Sequence, residues 1–261
     1  MVTLKSAPRD PDVVGELDQL VIRVVAHEMT PLPTLEPPAG FIDQDCHPVE
    51  CATPCNTRGV SLDQLWTLHV AEDPTLLTRL LSRYRERHRR YHTAEHLTAV
   101  VSTVVDLAPR VAVDDLDAVV AAAFYHDAIY EPASPANERA SARLARRDLA
   151  ALGWGPDRAG RVGEMIEETT NHLDPSDDDA ALLFDADLAI LGAPPSVYDT
   201  YALDVRADYR RVDDGAWRSG RAAVLASFLE RPSIFTTAPG QARCESAARA
   251  NLARELAALS G

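Results

Sequence analysis

A chain of 261 residues, 46% of them hydrophobic, is long enough to bury a sizeable core as a globular protein. Its 40 acidic and 26 basic residues give a formal net charge of −14, which repels polyanions and argues against an extended surface for nucleic acid or an anionic membrane. The one lysine, Lys5, stands near the start of the chain. The remaining sequence therefore lacks the amine that a P-loop or a Schiff-base enzyme requires.

In chain order, residues 12–29 place Val13, Leu17, Leu20, Val21, Val24 and Val25 at helical spacing, which predicts one amphipathic helix. Residues 30–59 follow with prolines, cysteines and no sustained period, as in a linker or irregular extension. Cys46, Cys51 and Cys55 crowd this stretch beside His47. Their spacing matches no zinc motif, so a segment with free thiols is a plainer reading than a zinc clip. No apolar run reaches the length of a membrane span, and residues 1–12 lack the apolar stretch of a signal peptide, so the expected location is the cytoplasm.

The main domain is expected over residues 60–261, and its punctuation is helical. Ser61 with Gln64 forms a capping-box pattern, and Asp73-Pro74 offers an N-cap followed by proline. Thr93, Asp114, Ser134-Pro135 and Asp177 mark further helix starts, while Gly153 and Gly192 stand where C-terminal caps belong. With no strand alternation between hairpin turns, the prediction is an all-α bundle of roughly eight to ten helices.

The chemistry concentrates in three stretches. AAAFYHDAIY, Ala121–Tyr130, carries His126 and Asp127 inside a helix expected over Asp114–Tyr130 that is apolar almost all round. Either group buried without a partner costs free energy, so the pair needs a ligand or a hydrogen-bonded neighbour. Adjacent helical positions diverge by about 100°, so both reach one point only if other helices supply the rest of the site there. A metal ion shared with other helices satisfies that condition, and a core histidine bonded to a carboxylate is the plain alternative. RYHTAEHL, Arg90–Leu97, sets His92 and His96 four residues apart, on one face if the helix extends back that far. LLFDADLAIL, Leu182–Leu191, interrupts an apolar run with Asp185 and Asp187. Two residues subtend about 200°, so one carboxylate is expected to face the core. Leu183, Phe184 and Leu191 select Asp187 and leave Asp185 a structural or supporting role.

The ordered set of a YHxxxH segment, FYHDAIY, Asn137-Glu138-Arg139-Ala140-Ser141-Ala142, DADLAILG and ANLARELA resembles the HD-domain superfamily of metal-dependent phosphohydrolases, over roughly Leu62–Leu259. The resemblance implies a helical HD-domain bundle with His96, His126, Asp127 and Asp187 as metal ligands. Two imidazoles and two carboxylates suit a divalent ion such as Mn, Fe, Zn, Ni, Co or Mg. It further implies hydrolysis of a nucleotide or other small phosphate ester by metal-activated water. His92 would be the proton donor to the leaving oxygen, and Asp127 or a neighbouring carboxylate would accept the water proton. An imidazole is suited to such transfer near neutral pH.

Glu95 and Glu138 are candidates to orient ligands or water, with exposed helical charge as the alternative. His172 is a candidate ligand for a second ion, and Arg89 a candidate phosphate clamp within a charged run that also reads as a solvated helix face. Three other readings stay open. His92-Thr93-Ala94-Glu95-His96 also fits the HxxEH zinc-peptidase pattern, with Glu164 or Glu168 as a further ligand. Some HD proteins are mixed-valent diiron oxygenases, and a metal-containing module that senses a ligand without catalysis has the same signature.

Overall fold

The computed structural model describes residues 60–260. The expected helix at 12–29 and the Cys46, Cys51, Cys55 and His47 cluster lie outside the described residues. Ten α-helices follow one another without a strand among the described residues: α1 (Leu62–His69), α2 (Pro74–Arg83), α3 (Ala94–Leu107), α4 (Leu116–Tyr125), α5 (Asn137–Ala151), α6 (Pro156–Glu168), α7 (Asp178–Leu188), α8 (Pro195–Asp208), α9 (Asp214–Glu230) and α10 (Ala238–Ser260). Short 3₁₀ turns follow α3 and α7. The expectation of an all-α bundle is met, and no single described helix is long and apolar enough to cross a membrane.

Several starts and stops have the chemistry their residues dictate. Ser61 and Gln64 exchange side-chain bonds with each other's backbone N–H in a complete capping box. The carboxylates of Asp73 and Asp177 accept the amides of Leu76 and Ala180 and satisfy N–H groups that the first helical turn leaves over. Gly153 takes φ +85 after α5, where a side chain would be strained. Gly192 has another reason to lack a side chain. A Cβ there would meet the Cβ of Cys244 at 2.6 Å, so glycine lets the turn after α7 lie directly on α10.

Helix α4 is the axis of the larger core. Every residue from Ala118 to Tyr125 is buried, and the helix touches α1, α3, α5, α6 and α7. Small side chains at 121–123 permit that crowding, while Trp66 packs edge-on against Phe124 at 5.2 Å. A second core forms from Leu188 onward, where Tyr198, Leu225, Phe235, Ala248 and Leu252 gather between α8, α9 and α10. The first core ends at Ala186 and the second starts at Leu188. Asp187 sits on that seam.

Two expected helices are shorter at the ends that matter. Helix α4 stops at Tyr125 instead of Tyr130, so His126 is its C-terminal cap and Asp127 begins a turn. Helix α3 starts at Ala94 behind Thr93, so His92 precedes the helix and does not share a face with His96. Both ends gain reach. A turn frees backbone dihedrals that a helix would fix, and adjacent residues can then aim at one point.

Candidate metal centre

The Nε2 atoms of His96 and His126 stand 3.3 Å apart, each facing the same two carboxylates. Asp127 Oδ2 is 3.5 Å from His96 Nε2 and 3.2 Å from His126 Nε2. Asp187 Oδ1 lies 3.1 Å and 3.6 Å from the same two nitrogens. His96 comes from the first turn of α3, His126 and Asp127 from the end of α4, and Asp187 from the last turn of α7. The imidazoles are 3% and 2% exposed and the carboxylates 18% and 16%, and Asp187 lines a cavity.

Three members of the set could hold a metal ion. His126 Nδ1 donates to the carbonyl of Ala123 at 2.8 Å, which fixes the tautomer and turns the Nε2 lone pair toward the cluster. His96, His126 and Asp127 have ligand atoms close enough to hold one ion together. Nitrogen and carboxylate oxygen in this mixture suit the borderline metals of the first transition row.

The electrostatics agree. Burial alone pushes the pKa of His96 down, but its bonds to Asp127 and Asp187 outweigh burial and raise it. His126 is raised well above its usual value, because the same two carboxylates overcome its burial. Burial raises Asp127 and Asp187, yet the imidazoles hold both carboxylates well below their usual range. Without a metal, protons on the imidazoles balance the buried anions. A cation bound there would take the place of those protons.

Around the cluster the expected residues divide. His92 Nε2 is 4.0 Å from Asp127 Oδ2, and its Nδ1 lies 3.4 Å from Asp208 Oδ2. Tyr130 stacks beside the His92 ring at 4.2 Å and its hydroxyl donates to Asp208 at 3.3 Å. His172 Nε2 meets the other oxygen of Asp187 at 2.8 Å, so it joins the cluster through a ligand. His172 also has φ +51, a left-handed conformation that a side chain adopts at a cost.

Two expectations are corrected. Arg89 is no phosphate clamp: its side chain is buried and donates to the carbonyls of His92, Asp127 and Ala128 at 3.0, 2.8 and 3.2 Å. It ties the segment before α3 to the turn after α4 and so holds two parts of the site together. Asp185 does not turn away from the interior when Asp187 faces it. It is 1% exposed and accepts from Thr236 N–H, Thr237 N–H and the Thr237 hydroxyl at 2.8, 2.8 and 2.6 Å. The expectation assumed one core, whereas α7 is enclosed by two. For Glu95 the alternative reading holds: it is an exposed helical charge that accepts from the Thr93 hydroxyl.

Glu138 is half-buried in the first turn of α5. Glu168 binds Arg161 and Ser176, and Glu164 lies 4.0 Å from Arg161, so both glutamates that the HxxEH pattern would use are directed to Arg161 instead. The other motif residues are supports. Asn137 binds both backbone groups of Glu131, and Ser141 binds those of Ile129, fixing the turn that carries Asp127. Asn251 holds the carbonyls of Leu191 and Ala193 after α7.

Asp208 was not expected. It accepts the amides of Arg90 and Tyr91 at 2.8 and 3.5 Å besides touching His92. It stands on α8, more than a hundred residues from the histidine it faces, and no sequence spacing relates them. Comparison with protein-family models, curated proteins and solved structures gave no match.

Proposed function

We propose that the chain is a metal-dependent phosphohydrolase of the HD-domain type, acting on a nucleotide or other small phosphate ester or anhydride. The observation that carries this reading is the convergence of His96, His126, Asp127 and Asp187 beside a fifth polar group, His92, that points at the same carboxylate. The four would hold the ion, and the cavity of about 550 Å³ on which Asp187 and His92 open is the size of a small-metabolite site.

A divalent ion held there supplies a Lewis acid, lowering the pKa of water and withdrawing charge from the phosphoryl group. The protein's own side chains supply the rest. His92, with Nδ1 turned to Asp208 and Nε2 toward the cluster, would give a proton to the leaving oxygen. Asp208 favours the tautomer with its hydrogen on Nδ1 and stabilises the imidazolium when the ring is protonated. Asp127 keeps its carboxylate ionised and can accept a proton from water.

The test is a screen of phosphomonoesters and nucleotides with Mn²⁺, Fe²⁺, Zn²⁺, Ni²⁺, Co²⁺ or Mg²⁺ added to chelator-treated protein. Phosphate release that needs one of these ions and disappears in His92→Ala is the expected result. Absence of release from every ester with every ion, in protein that binds the metal, would leave a sensing module instead.

A further inference from the structure

One cation in the cavity has no part in the proposed chemistry. Arg231 follows α9 and reaches back to the loop after α6, donating from Nη1 to the carbonyl of His172 at 2.9 Å and from Nη2 to that of Asn171 at 3.1 Å. Its guanidinium lies 4.1 Å from the centre of the Phe228 ring. Among the described residues no carboxylate oxygen stands within 4 Å of it, although the chain is rich in acid elsewhere. Asp174 and Glu230 also border the cavity, but both are exposed at its edge.

A half-buried guanidinium whose bonded partners are neutral carbonyls retains most of its charge for something else. Burial lowers its pKa to about 10, with Asp174 opposing only in part, so the side chain is still a cation at neutral pH. A guanidinium has five N–H donors and two are spent on these carbonyls, leaving Nε–H and one N–H on each terminal nitrogen. That fork matches the two oxygens of a carboxylate or phosphate.

The position adds direction. The carbonyl that Arg231 holds belongs to His172, whose ring touches Asp187, so the cation and the proposed metal centre border one cavity. Much of the lining they share is apolar or aromatic: Tyr91, Leu188, Ile190, Tyr201, Val205 and Phe228. We propose that Arg231 is a substrate-reading residue, and that the cavity takes a phosphate ester with an apolar body and a second anionic group, a carboxylate or phosphate, held by this guanidinium. This rests on the reading of the cluster as the centre that receives the scissile phosphate.

The experiment measures binding of paired probes by calorimetry: alkylphosphonates of two to six carbons, each with and without a terminal carboxylate, in the presence of Mn²⁺. At the best-fitting chain length the carboxylate should strengthen binding by at least about tenfold, the usual scale of a charge-assisted bond. Arg231→Gln should reduce the ratio within a pair to below about twofold, and Arg231→Lys should keep part of it. Because the readout is a ratio, a loop merely loosened by the substitution weakens both members and leaves it unchanged.

A ratio that never exceeds about twofold in the wild type at any length, or that survives in Arg231→Gln, overturns the proposal. Omitting Mn²⁺ separates it from the hydrolase reading. A carboxylate effect that persists without metal, in protein that releases no phosphate from any ester, would remove the hydrolase and retain the anion site.

Discussion

Asp185 and Asp187 lie one turn's fraction apart on α7, and both are carboxylates inside an apolar run, yet their surroundings make them different objects. Asp185 meets three donors from the backbone and side chain of residues 236–237 at the entry to α10. A Cβ at Gly240 would collide with its Oδ2, so the helix start is built closely around this carboxylate. Asp187 meets imidazoles instead, from His96, His126 and His172. Backbone amides cannot be given up or replaced, and they make Asp185 part of the framework. Imidazole nitrogens can exchange a proton for a metal, and they make Asp187 part of the candidate site. Burial alone does not separate these roles; the identity of the donors does.

If that contrast is right, the largest effect should follow substitution in the cluster. His126→Ala removes the nitrogen whose tautomer is fixed by Ala123, and is expected to eliminate bound metal and phosphate release together while leaving a folded helical protein by circular dichroism. Retained metal would place the ion elsewhere. Next in size is Asp208→Asn, which keeps the shape beside His92 but removes the charge. A fall in kcat of about 10–100-fold with metal content unchanged is expected, on the scale of groups that orient site residues. A loss of metal in that variant would make Asp208 structural.

The Asp185 pole should respond in stability and not in chemistry. Asp185→Ala leaves the buried amide and hydroxyl of Thr237 and the part-buried amide of Thr236 without their acceptor, at a cost of about 2–5 kcal/mol in chemical denaturation. At low temperature the folded fraction should still bind metal. Metal lost in the folded variant would erase the distinction between the two carboxylates.

Metal affinity should also depend on pH with a definite sign. The raised pKa values of His96 and His126 mean that metal-free protein retains protons there which the ion must displace. Binding should therefore release protons, and affinity should fall as pH drops through neutrality. Calorimetry in buffers of different ionisation enthalpy measures the release, and none at all would contradict the assignment. The smallest effect belongs to Glu95→Gln, expected to change phosphate release by less than about twofold, as for an exposed group without a special contact.

Much of this was legible in residues. Caps at Ser61, Asp73, Asp177 and Gly153 are local chemistry, and the side chains of His96, His126, Asp127 and Asp187 lie together. The alternatives that failed were those that depended on where a helix ends or what lies beside it. His92 and Asp127 are positioned by turns, because α3 begins late and α4 ends early. Arg89 stands in a charged run that suggests solvent, and only the fold shows three carbonyls enclosing its guanidinium. Asp208 and Arg231 carry no motif. The fold brings Asp208, at the end of α8, to His92, and Arg231, after α9, to the cavity, and each juxtaposition is a property of packing between distant segments.

The most direct measurement is elemental analysis of purified protein beside an Asp127→Ala variant, after both are incubated with the same divalent ions and desalted. The cluster predicts a retained divalent ion in the wild type and loss of both ion and phosphate release in the variant. Equal metal content in the two proteins, or wild-type protein that retains none of the ions offered, would contradict a metal centre at His96, His126, Asp127 and Asp187.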